Sequence, residues 1–147
     1  MLSLTLTRVP LQQPYVKRYA PLEEEDLAHY HGLPAGGFCF GAYADGNCVA
    51  LALAEPQDWN RSLHVLELHL APHCHRQGIG ARLLEAVEDA GRAAGLRTLV
   101  CETQNTNVPA IDFYRRQGFT VDGIDLSLYS NDDFPDGEVA LFMKKPL

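Results

Sequence analysis

No apolar run in this chain of 147 residues approaches the roughly 20 residues that a bilayer-crossing helix requires. That lack excludes a spanning helix. Basic residues are scarce as well: twelve Lys and Arg stand against nineteen Asp and Glu, a formal net charge of −7. The deficit argues against nucleic acid or an anionic membrane as the main partner, and it suits a small cationic ligand. Cysteine is sparse and unclustered, with Cys39, Cys48, Cys74 and Cys101 each standing singly. No disulfide framework is indicated. With no apolar leader at the N-terminus, the expectation is a cytoplasmic protein with reduced thiols. Repeats, linkers and low-complexity stretches are absent, and the length fits one domain able to bury its own core.

Two further absences concern chemistry. His69, His73, Cys74 and His75 invite a zinc reading, but no second Cys/His group lies at a suitable spacing, so no metal is expected. No Gly-Lys-Ser/Thr follows the glycines of residues 78–80, which removes a P-loop nucleotide site.

What is present centres on residues 69–84. An apolar run alternating at Leu66, Leu68 and Leu70 reads as a strand, broken by Pro72. Leu83, Leu84, Val87 and Ala90 then follow helical spacing. Gly78 and Gly80 sit at the crossing. Glycines there let a backbone approach a ligand closely, and the helix start behind them suits an anion such as a pyrophosphate.

Elsewhere, residues 2–9 alternate as a strand until Pro10, and residues 21–31 read as a short helix with acids in its first turn. Residues 38–43 and 48–54 are strands joined by Asp45-Gly46, and residues 62–70 make a third. Residues 96–101 form the strand after the long helix, which implies a βαβ crossover. A short helix over 108–117 starts at Asn107, and residues 119–129 and 138–144 are two last strands around a polar loop at 130–137. Alternation along the third strand puts Val65, Glu67 and His69 opposite the leucines. Glu67 is therefore either half of a structural ion pair or an acid/base group. Tyr114, on the short helix, is either a packing element or a proton donor. Of Asn105 and Asn107, at least one is expected as a helix cap.

Together these pieces resemble the GNAT-type N-acetyltransferases. That resemblance implies an α+β fold, with a mixed, mostly antiparallel twisted sheet flanked by helices, and acetyl-CoA as acyl donor. In their phosphate-binding motif, Arg/Gln-x-x-Gly-x-Gly/Ala, this chain reads His75-Arg76-Gln77-Gly78-Ile79-Gly80, with His75 where Arg or Gln is usual. Their second signature appears as Asn107-Val108-Pro109-Ala110, Phe113-Tyr114 and Gly118-Phe119. The resemblance implies a cofactor site of Leu68, His69, Leu70, His75 to Ala81, Asn107, Ala110 and Tyr114. It makes Tyr114 the acid toward the departing thiolate; the base that an amine acceptor needs is expected to be Glu67, with Glu102 and Asp125 as second choices.

Residues 102–110, Gly123-Ile124-Asp125, Tyr129 and Ala140-Leu141-Phe142 are further similar to streptothricin acetyltransferases, as is Trp59-Asn60. That likeness nominates Trp59, Glu102, Asp125 and Tyr129 for the amine acceptor. A catalytically retired acetyl-CoA sensor, or a transferase acting on peptide N-termini, would carry the same signatures. Apolar residues on the last two strands suit either a core or a homodimer interface.

Overall fold

In a computed structural model, which describes residues 1, 3–135 and 137–147, six strands form one sheet in the order β1-β2-β3-β4-β6-β5. The chain enters through α1 (Glu24–Gly32), then makes β1 (Phe40–Ala44), β2 (Asn47–Gln57) and β3 (Ser62–Leu70). Next come α2 (Ile79–Ala93), β4 (Thr98–Gln104), α3 (Val108–Arg116), β5 (Thr120–Asp125) and β6 (Ala140–Pro146). Only β3 and β4 run parallel, and α2 makes the crossover between them. The mixed, mostly antiparallel sheet is the one expected.

The core lies on one face. Ala50, Ala52 and Ala54 of β2 let α2 approach closely, and Leu83, Leu84 and Val87 of that helix meet Leu63, Leu99 and Met143. Leu63, Leu84 and Leu99 are almost wholly buried, each worth about 1.5–3 kcal/mol over exposure. Glu88 of α2, also buried, accepts from Lys145 Nζ at 2.7 Å and Arg92 Nη2 at 3.0 Å, which ties the helix to β6.

Three expectations need correction. The first strand does not form: residues 3–9 carry no strand, and Leu4, Leu6 and Val9 are exposed. Alternation makes a strand only where a neighbour completes its ladder, and here Arg8 instead pairs with Asp112 of α3 at 3.5 Å. The last strands are also shifted, with β5 ending at Asp125 and β6 running on to Pro146. Leu2 of the expected strand and Asp136 of the expected loop lie outside the described residues.

The third correction concerns β3. Leu53 pairs with Glu67 and Ala54 with Val65, so Leu66 is an extra residue, a β-bulge. The bulge resets the alternation. Leu63 and Val65 before it and Leu68 and Leu70 after it all face the core, while Leu66 is 37% exposed. Val65 is therefore a core residue rather than a neighbour of Glu67.

Candidate active site

The bulge opens a cleft. Strands β3 and β4 pair only from Ser62–Thr98 to Val65–Cys101. Beyond that point Glu67 to Leu70 pair with β2 alone, and Glu102 to Gln104 with β6 alone. Two adjacent parallel strands thus splay, and each presents an edge without a strand partner to the gap. Backbone N–H groups on such edges are free to meet a ligand.

Glu67 stands on one wall. Its Oε1 accepts a 2.6 Å hydrogen bond from the Tyr30 hydroxyl of α1, and its Oε2 lies 2.5 Å from His69 Nε2. Burial and the Glu67 carboxylate push the Tyr30 hydroxyl up to about 12, so Tyr30 stays a donor at any ordinary pH. Sequence reasoning passed over Tyr30, because nothing local marks a tyrosine 37 residues away as a partner of Glu67.

On the other wall, Glu102 accepts from the Tyr129 hydroxyl, and the Tyr129 pKa is raised by burial and by that bond. Glu102, His64, Leu66, Val100 and Phe142 border a cavity of about 120 Å³ at the fork. Burial, with help from the Lys144 ammonium, holds the His64 imidazole below its usual range.

Tyr114 reaches the fork from α3. It is 9% exposed, packed between Phe113 and Phe119. Desolvation, then the adjoining Cys101 thiol, keeps its hydroxyl protonated far above the usual tyrosine range, and the Glu102 and Glu67 carboxylates add to that effect. Cys101 is itself raised by burial and is no ready nucleophile.

The glycine turn closes the far end of β3. Gly78 has φ +80° and precedes α2, whose N-terminus has no side-chain cap. Its first N–H groups therefore remain unpaired by the helix. A Cβ on Gly78 would meet nothing within 4 Å, whereas one on Gly80 would lie 3.3 Å from Phe113 Cζ. Gly78 thus provides the left-handed turn and an open approach, while Gly80 lets α2 pack against α3. His75 is exposed, its Nε2 lying 3.1 Å from the Leu70 carbonyl oxygen. Arg76, at φ +58°, is exposed beside it, and Gln77 donates to the His73 carbonyl at 2.6 Å.

The remaining nominated residues divide. Asn107 caps α3, accepting from Ala110 N at 3.3 Å, and its amide nitrogen has no partner in that cap. Asn105 accepts from Val139 N at 3.1 Å. Asp125 lies in register with Ala140 and Gln104, one strand removed from β4, and its Oδ1 accepts from Ser127 N. Trp59 does not join the site. It is 85% exposed in the β2–β3 turn, at the opposite end of β3 from the glycines. Among the described residues, no group of three or more His, Cys, Asp or Glu side chains is placed to hold a metal ion.

A fork of parallel strands, a glycine turn on an uncapped helix and a buried tyrosine at the apex form a recognisable combination. The Acetyltransferase (GNAT) family profile matches residues 7–119. This chain belongs to the GNAT acetyltransferase family. As a GNAT enzyme it is an acetyl-CoA-dependent N-acetyltransferase.

The GNAT domain is 35% identical to streptothricin acetyltransferase of Streptomyces lavendulae, over 98% of this chain and 77% of that protein. Nourseothricin acetyltransferase superposes with a TM-score of 0.67 at 38% identity, over 74% of this chain and 64% of that one. This chain thus spans slightly under two thirds of that structure. A Bacillus anthracis str. Ames acetyltransferase in complex with acetyl coenzyme A shares the fold, with a TM-score of 0.69 at 22% identity over 74% of this chain and 61% of that one.

Proposed function

We propose that the chain acetylates a primary amine of a small cationic molecule, with streptothricin-type antibiotics as the acceptor class. The observation that carries this reading is the fork itself, with two carboxylates, Glu67 and Glu102, on its opposite walls. Such walls attract a cation, and the net charge of −7 acts in the same direction. The similarity to streptothricin and nourseothricin acetyltransferases supports the acceptor class.

Bound acetyl-CoA would supply an activated acetyl group as a thioester. The residues present fit it: the unpaired N–H groups from Gln77 to Ala81 suit its pyrophosphate, with Arg76 of the same turn as an added positive charge. The free amide nitrogen of Asn107 would meet the pantetheine arm beside Ala110. The backbone N–H groups of Leu68 and Leu70, which alternate with those turned to β2, would polarise the thioester carbonyl beside His69, a contribution of about 3 kcal/mol for one well-placed donor.

An aliphatic amine of pKa about 10 arrives protonated at neutral pH and must lose a proton before it attacks. Glu67 would accept that proton, directly or through water, while Tyr30 fixes the carboxylate. Tyr114, which keeps its proton at working pH, would donate to the departing thiolate. Glu102 and Tyr129 would hold the cationic part of the acceptor. Asp125 would act on it at longer range, since its carboxylate is engaged in its own turn.

Release of CoA from acetyl-CoA in the presence of streptothricin, polyamines, lysine and peptide N-termini tests the reading. Turnover with the small polycationic amines supports it. Turnover confined to peptide N-termini would overturn the acceptor class, and acetyl-CoA binding without CoA release would leave a sensor.

A further inference from the structure

An ammonium group already sits beside the acceptor wall, and it belongs to the chain itself. Lys17 lies in the stretch before α1 that has no helix or strand. Its Nζ is 2.5 Å from Glu138 Oε2 and 5.3 Å from the ring centroids of both Tyr19 and Tyr129. Two aromatic faces within 6 Å and one carboxylate are the components that recognise an alkylammonium ion. The carboxylate is aimed for the purpose, because the Thr106 hydroxyl donates to its other oxygen, Oε1.

The pocket is also connected to the fork. Tyr129 offers its ring to Lys17 and its hydroxyl to Glu102, and Glu102 lines the cavity, so one side chain links the ammonium pocket to a wall of the cavity.

We propose that Tyr19, Tyr129 and Glu138 form a second ammonium site, which takes the distal cation of a diamine or polyamine acceptor, with Lys17 as its displaceable occupant in the free protein. This rests on the reading of the fork as an amine-acceptor site. Displacement is feasible because the other polar anchors of this stretch are weak. Arg8–Asp112 is a surface pair, and the Tyr19 hydroxyl meets Gln104 Oε1 only at 3.5 Å. A cation must remain in the pocket, since the Glu138 side chain is only 13% exposed and a carboxylate so covered is costly to leave unpaired. Desolvation pulls the Glu138 carboxyl up, but Lys17, with Thr106 and Tyr15, outweighs it and holds the group below its usual range. An internal occupant reduces apparent affinity by the fraction of time it fills the site. Removing Lys17 should therefore tighten a diamine, which can fill both the fork and the vacated pocket, more than a monoamine, which can fill only one of them.

The test is calorimetric titration with 1,5-diaminopentane, with pentylamine as the single-charge control, in the absence of acetyl-CoA. Lys17→Ala should bind the diamine about fivefold or more tightly than wild type, with a smaller gain for pentylamine. Adding Glu138→Gln to Lys17→Ala should abolish the gain. No gain in Lys17→Ala, or an equal gain for pentylamine, overturns the proposal. If the variants fail to fold, the wild-type protein still decides. Limited acylation by acetic anhydride, read by mass spectrometry, should raise the label on Lys17 relative to that on Lys145 when the diamine is saturating, compared with pentylamine at equal amine concentration. An unchanged Lys17-to-Lys145 ratio overturns the proposal. Neither readout depends on acetyl transfer, so a failure here is distinct from a failure of the proposed reaction.

Discussion

The Tyr30 hydroxyl donates to Glu67 Oε1 across 2.6 Å and joins α1 to one wall of the fork. A hydrogen bond to a charged carboxylate contributes about 1.5–3 kcal/mol. If Glu67 is the base, Tyr30→Phe should lower kcat roughly tenfold, with little change in KM for acetyl-CoA. Steady-state kinetics check this. An unchanged kcat would leave Tyr30 as a packing residue.

Glu67→Gln removes the proposed base and keeps the shape of the side chain. The acidic limb of the pH–rate profile should disappear or move, and the residual rate should rise steadily with pH as free amine becomes available. A profile with its acidic limb intact would assign the proton transfer to another group or to solvent.

Tyr30, Tyr114 and Tyr129 all keep their protons above the usual tyrosine value of 10, chiefly because burial penalises the phenolate. Below pH 10 both folded and unfolded chains hold these protons, and the contribution to stability is complete. Above pH 10 the unfolded chain releases protons that the folded chain retains, so stability falls as pH rises. Thermal unfolding from about pH 8 to about pH 12 should show Tm declining from near pH 10, with a shallower slope in Tyr114→Phe. Equal slopes would contradict the burial argument.

Gly78 has open space for a Cβ, so Gly78→Ala is limited by its φ of +80° alone. The strain costs about 1–2 kcal/mol and should appear as reduced stability together with a raised KM for acetyl-CoA. His75→Ala should leave that KM within about twofold, because the ring is engaged by the Leu70 carbonyl. A large effect from His75→Ala would show that the imidazole reaches the cofactor.

How much was legible in the sequence depends on the range of the forces involved. The turn at Gly78, the amphipathic stripe of α2 and the cap at Asn107 are local, and they read correctly from residue order. The bulge at Leu66 is set by the pairing of β3 with β2 and its parting from β4, and strict alternation therefore assigned Val65 to the wrong face. Residues 3–9 have a strand's rhythm without a strand's partner. Trp59 fitted a motif, yet the hairpin carries it to the end of β3 remote from the fork. Tyr30 with Glu67, and Lys17 with Glu138 across 121 residues, are contacts that only the folded chain creates.

The central claim is that the fork selects a small polycationic amine for acetylation. It is tested most directly by kcat/KM for streptothricin against kcat/KM for a monoamine and for a peptide N-terminus, at fixed acetyl-CoA. A preference for streptothricin of roughly two orders of magnitude, or about 2.7 kcal/mol of transition-state binding, is expected. Equal values, or a preference for the peptide, would contradict it.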